Sequence, residues 1–130
     1  PRLTKLHLLL CNQITDAGLK EVAKLQQLTS LRLTNTKITD AGLKELAKLQ
    51  KLIKLNLART QITDAGLKEV AKMQQLSILT LNHTKITDAG LKDIAKLQKL
   101  VDLNLSDTQV TKAGAAELRK ALPNCNITGP

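Results

Sequence analysis

One interval constrains this chain more than any other feature: Ile14, Ile38, Ile62, Ile86 and Val110 stand 24 residues apart, and Gly18, Gly42, Gly66, Gly90 and Gly114 keep the same spacing. Self-similarity at a fixed period of this size is the signature of stacked supersecondary units. Residues 36–51 and 84–99 agree at 14 of 16 positions, so the units are copies of one design. Five are present, at about 3–27, 28–51, 52–75, 76–99 and 100–122, with 123–130 read as a C-terminal cap or the start of a further strand. The 130 residues suit a single domain.

Each unit changes its hydrophobic period partway. LTSLRLTNT (28–36) places Leu31 and Leu33 at period two, the pattern of a strand. DAGLKELAKL (40–49) puts Gly42, Leu43, Leu46, Ala47 and Leu49 on one helical stripe. Thr39 is placed to cap the helix start by accepting from first-turn amides, with Asp40 where the helix dipole favours a negative charge. Thr15/Asp16, Thr63/Asp64 and Thr87/Asp88 repeat the arrangement. A glycine inside a helix costs about 0.5–1 kcal/mol relative to alanine, so its recurrence predicts a close approach of helix backbone to strand. A single unit has no partner for its leucines. Stacked neighbours bury them jointly, with parallel strands in one sheet and right-handed crossovers. Phe, Tyr and Trp are absent, so the core is built from Leu, Ile, Val and Ala.

LTKLHLLLCNQITDAGL (3–19) resembles the leucine-rich repeat of the cysteine-containing type, with the pattern LxxLxLxxCxxITDxGL. Later units shorten the turn by one residue and carry Thr36, Thr60, Thr84 and Thr108 where Cys11 stands, a form similar to 24-residue repeats of bacterial proteins. ALPNC (121–125) resembles their terminal segment. The resemblance covers essentially the whole chain. It implies an α/β leucine-rich-repeat solenoid with the parallel sheet on a concave face and helices on the convex face, a role in binding proteins or other macromolecules, and no catalytic residue. From the residues themselves, the four threonines fall where the chain leaves the sheet, and their hydroxyls are expected to satisfy turn backbone groups.

In an L-x-L strand the intervening residues point away from the core, which sets three columns across the sheet. The first is Lys5, Ser30, Lys54, Ile78, Asp102; the second is His7, Arg32, Asn56, Thr80, Asn104; the third is Leu9, Thr34, Ala58, Asn82, Ser106. Asn35, Arg59, His83 and Asp107 border them. Units differ freely here while the leucines and ITDAG turns hardly change, as a partner-binding surface requires. Its first half is basic (Lys5, His7, Arg32, Lys54, Arg59) and its far end acidic (Asp102, Asp107), a graded potential suited to a complementary partner. The missing Trp and Tyr remove the commonest interface anchors, so a merely solvated sheet face is the competing reading.

The net charge of +9 is carried mostly on the helices, in rows Lys20, Lys44, Lys68, Lys92 and Lys24, Lys48, Lys72, Lys96. Asp16, Asp40, Asp64 and Asp88 stand four residues before the first row. Glu21, Glu45, Glu69 and Asp93 stand three before the second, so pairing is expected to cancel part of the field. With no aromatic for base stacking and no phosphate-cradling glycine loop, nucleic acid is disfavoured as a partner. His7 and His83 lie three units apart, at about 4.8 Å per strand too far for one site. Cys11 and Cys125 are farther apart still, have no metal-ligand spacing, and read as small, partly buried side chains. No enzyme, cofactor or metal is expected.

No run approaches the roughly 20 apolar residues of a membrane span. The chain reads as soluble. A cytoplasmic setting is slightly favoured, and because the sequence begins at Pro1 a targeting segment before it stays open. In the last unit Lys112 replaces Asp, Ala115 replaces Leu and Arg119 replaces an inward Ala, the polar drift of a cap. The front leads straight into Leu3, Leu6 and Leu8, an open edge that implies a cut from a longer array or end-to-end self-association. The leading reading is a non-catalytic protein-interaction module. The alternative is a structural or engineered consensus-like scaffold, or a self-associating array, with no dedicated partner.

Overall fold

The computed structural model describes residues 2–8 and 13–130. Strands and helices alternate: β1 (Lys5–His7), α1 (Asp16–Val22), β2 (Ser30–Arg32), α2 (Asp40–Leu46), β3 (Lys54–Asn56), α3 (Asp64–Val70), β4 (Ile78–Thr80), a 3-10 turn (Asp88–Gly90) running into α4 (Leu91–Ile94), β5 (Asp102–Asn104), α5 (Lys112–Ala121) and β6 (Asn126–Thr128). The six strands form one parallel sheet in sequence order, so every connection between neighbours is a helical crossover.

The register aligns equivalent positions of successive units. Leu6 faces Leu31, Leu31 faces Leu55, Leu55 faces Leu79, Leu79 faces Leu103, and Leu103 faces Ile127. Regular strand is only three residues long, shorter than the alternating pattern suggests, but pairing continues past it through Leu33 N–H to Asn56 O (2.9 Å) and Asn35 N–H to Ala58 O (2.9 Å). Helix α2 likewise ends at the second leucine of the expected stripe: Leu49 lies beyond it, in turns, yet is fully buried. Leu28, Leu31, Leu33, Ile38, Leu43, Leu46 and Leu49 of the second unit are all inaccessible to solvent, so strand, turn and helix feed one continuous core. Each such leucine contributes on the order of 1.5–3 kcal/mol on burial.

Side chains tie unit to unit. Asp16 accepts from the Thr39 amide (2.8 Å) and the Thr39 hydroxyl (2.5 Å) of the next unit. Asp40 does so for Thr63, Asp64 for Thr87 and Asp88 for Thr111. The ITD motif is therefore an inter-unit ladder as well as a helix start. The threonine caps are formed at Thr39, Thr63, Thr87 and Thr111, whereas Thr15 makes no side-chain cap bond among the described residues.

The recurring glycine also has a different cause from the expected helix–strand approach. A Cβ on Gly42 would fall within 3.0 Å of the Asp16 carboxylate and of Leu19 Cδ1, which belong to the preceding helix. Gly66 and Gly90 meet Asp40/Leu43 and Asp64/Leu67 in the same way, and Gly114 meets Asp88. A Cβ on Gly18 meets nothing within 4 Å among the described residues. The glycine admits the neighbour's aspartate.

Thr36, Thr60, Thr84 and Thr108 donate their hydroxyls to the carbonyls of Leu33, Leu57, Leu81 and Leu105 at 2.6–2.9 Å, as expected for groups leaving the sheet. Cys11 and Leu9 lie outside the described residues. Cys125 is a free, half-buried thiol whose pKa is raised by burial and, secondarily, by Asp102.

Candidate protein-binding sheet face

The face of the sheet opposite the helices follows from the strand alternation. With Leu31, Leu55, Leu79 and Leu103 turned into the core, their strand neighbours project outward. Lys5, Ser30, Lys54, Ile78 and Asp102 stand in one registered row, and His7, Arg32, Asn56, Thr80 and Asn104 in the next, each row extended by β6 with Asn126 and Thr128.

These positions are not equally available. Lys5, His7, Arg32, Lys54 and Asp102 are exposed, and Ile78 and Thr80 half-buried. Ser30 is 8% exposed, the short side chain at the bottom of a row of long ones. Asn56 and Asn104 are half-engaged: their side-chain oxygens accept from the Ala58 and Ser106 amides at 2.9 and 3.0 Å. Those contacts hold the chain as it leaves the strand. In the third row Thr34, Asn82 and Ser106 are half-buried, and the Thr34 hydroxyl has no hydrogen-bond partner among the described residues. Ala58 is buried and contributes no outward surface.

The bordering residues Asn35, Arg59, His83 and Asp107 share a left-handed backbone, with φ of 55–58°. Asn, Asp and His tolerate it best; Arg59 takes it at a cost. Arg59 is exposed, and His83 Nε2 lies 3.1 Å from the Asp107 carboxylate.

Two adjoining hollows mark the basic half. The first, of about 340 Å³, lies among Lys5, His7, Ser30, Arg32, Lys54 and the strand-entry residues Thr29 and Ile53. The second, of about 180 Å³, continues over Arg32 and Lys54 to Asn56, Ile78 and Thr80. Thr29 and Ile53 were not among the sequence candidates because they precede the strand. The available signal was the variation at that position of each unit: Thr4, Thr29, Ile53, Ser77 and Val101. Ile53 and Val101 are among the large apolar side chains left exposed.

On the helical side the second lysine row pairs as expected. Lys24–Glu21, Lys48–Glu45, Lys72–Glu69 and Lys96–Asp93 lie at 2.8–3.2 Å, and Lys120–Glu117 adds a fifth pair at 3.1 Å. Lys48 holds the Glu45 carboxyl below its ordinary pKa, with a smaller contribution from Lys20. The first row does not pair with the aspartates four residues earlier, because those carboxylates are turned toward the next unit's threonine. No group of three or more metal-ligating side chains occurs among the described residues, and no helix there is long and apolar enough to cross a membrane.

A strand–helix array with a registered leucine spine is a repeat solenoid. The leucine-rich-repeat model matches five segments, residues 2–23, 24–47, 48–71, 72–95 and 96–118. The chain belongs to the leucine-rich-repeat family. No curated protein matches it in sequence. Among solved structures it is similar to an internalin, InlF, of Listeria monocytogenes (TM-score 0.72, 27% identity, 84% of this chain and 30% of that one). Internalin C2 of the same organism is equally similar (TM-score 0.72, 27% identity, 85% and 46%). A leucine-rich-repeat protein of Leptospira interrogans matches less well (TM-score 0.58, 26% identity, 83% and 33%). The chain spans less than half the length of each. Leucine-rich-repeat proteins are generally protein-interaction modules and typically not enzymes.

Proposed function

We propose that this chain is a non-catalytic protein-interaction module that engages its partner through the sheet face, at Lys5, His7, Ser30, Arg32, Thr34, Lys54, Asn56, Arg59, Ile78, Thr80, Asn82, Asp102 and Asn104. The observation that carries the reading is the contrast between the two sides. The helical side repeats the same paired charges in every unit, whereas the sheet side places different, mostly unpaired side chains on a rigid registered frame. Family membership supports a protein as the partner.

The test is to select ligands for the chain from a displayed peptide library and map each by backbone amide shifts. Perturbation is expected at Ser30–Arg32, Lys54–Asn56 and Ile78–Thr80, and Thr80→Arg is expected to abolish it. Shifts confined to the helices, or insensitivity to Thr80→Arg, overturn the reading.

Self-association is a second reading, favoured by Leu3, which is 45% exposed beside β1, the outermost strand among the described residues; Leu6 and Leu8 are half-buried against the core. Light scattering over a concentration series tests it. Mass that rises with concentration and falls back in Leu3→Lys supports an edge contact, and constant monomer mass removes it.

A further inference from the structure

We propose that the basic half of the sheet face receives an acidic segment of a protein partner, one in which a carboxylate and an apolar side chain stand three residues apart. This rests on the sheet-face reading above and adds the chemistry of the partner. Register places Lys5 and Lys54 on either side of Ser30, one strand away each, and Arg32 two residues along the strand on the same face. Because Ser30 is short and nearly buried, three long cationic side chains stand around a depression of about 340 Å³. None of the three is in an ion pair among the described residues; the six pairs formed there are on the helices and at His83–Asp107. Unpaired cations around a partly enclosed floor attract a carboxylate strongly, since arginine offers a bidentate fork and lysine a mobile point charge.

Apolar surface adjoins the cations. Ile53, 41% exposed, walls the first hollow, and Ile78 lines the second. Ile78 stands two strands from Ser30, a separation of roughly 9.6 Å at about 4.8 Å per strand. A segment in the polyproline-II conformation crossing the strands covers this in three residues at roughly 3.1 Å each and, with three residues per turn, brings the third side chain back to the same face. One strand beyond Ile78 the row turns acidic at Asp102, which rejects further carboxylates at the apolar end of the segment.

The experiment uses a fluorescein-labelled peptide, Gly-Glu-Glu-Ser-Thr-Leu-Gly, titrated into the chain by fluorescence anisotropy. Controls are its Lys-Lys counterpart and a version with two residues inserted before the leucine. The acidic peptide is expected to bind about tenfold more tightly than either control, and Arg32→Ala with Lys54→Ala to remove that preference while the melting temperature holds. Lys44→Ala, on the helical side, is expected to leave it unchanged. Arg32→Glu with Lys54→Glu is expected to reverse the preference toward the Lys-Lys peptide. Equal binding of all three peptides, or binding indifferent to Arg32 and Lys54, overturns the proposal. If library-selected peptides still map to the sheet face in that case, the partner chemistry alone has failed; if they map to the helices, the sheet-face reading has failed with it.

Discussion

Gly18 and Gly66 occupy the same place in the repeat yet meet different surroundings. A Cβ at Gly18 has nothing within 4 Å among the described residues, whereas at Gly66 it would collide with the Asp40 carboxylate and Leu43. Gly18→Ala is therefore expected to stabilise the chain by about 0.5–1 kcal/mol, through helix propensity and a less entropic unfolded chain. Gly66→Ala is expected to destabilise it by about 1–3 kcal/mol. Thermal or urea unfolding of both variants checks the sign at each position, and equal effects would show that the neighbouring aspartate is not the cause. Asp88 itself makes folding acid-sensitive. Hydrogen bonds from the Thr111 hydroxyl and amide lower the pKa of Asp88 below its ordinary value of 3.8. A depressed carboxylate contributes stability that is complete above its unfolded value and is lost as pH falls through the folded one. The difference in melting temperature between the parent and Asp88→Asn is thus expected to be constant above about pH 5 and to shrink below the unfolded value.

At the scale of the element, the last strand is held from outside the sheet ladder as well as within it. Arg119 of α5, read from sequence as a polar cap residue, donates from Nη2 to the Ile127 carbonyl at 3.3 Å, while the Asn126 amide pairs with Val101 O at 2.9 Å. Arg119→Ala is expected to speed amide exchange at Asn126–Thr128 on the order of tenfold while leaving β2–β4 unaffected, since edge elements open locally. Unchanged exchange would leave sheet pairing alone as the anchor.

For the whole molecule, nearest-neighbour contacts dominate, so a unit can be removed without removing the fold. The pattern along the stack decides which removal is tolerated. Positions 27, 51, 75 and 99 read Gln, Lys, Gln, Lys, and Lys51 and Lys99 donate to Gln27 and Gln75 at 2.8 Å. Lys37, Gln61, Lys85 and Gln109 alternate likewise. Deleting residues 52–75 would bring Lys51 beside Lys99 and Lys37 beside Lys85. That variant is expected to fold and to gain more stability from added salt than a deletion of 28–75, which keeps the alternation. Denaturant titration at low and high salt separates them.

The period, the strand–helix alternation, the parallel sheet and the buried leucines were legible in the sequence. They depend on positional patterning of apolar residues, and a 24-residue repeat of leucines has one economical way to leave water. The outward rows were legible for the same reason, because alternation alone decides which way a strand residue points. Tertiary structure decided the partners of the polar groups. Asp40 has Lys44 four residues away in sequence and Thr63 twenty-three away, and folding satisfies the carboxylate with the more distant one. A directed pair of donors, one of them the backbone amide of the next helix's N-cap, outweighs a solvated surface ion pair. The depth at Ser30 and the exposed wall at Ile53 likewise come from stacking. Each is a property of a residue and its neighbours one strand away, and a single unit read by itself does not contain them.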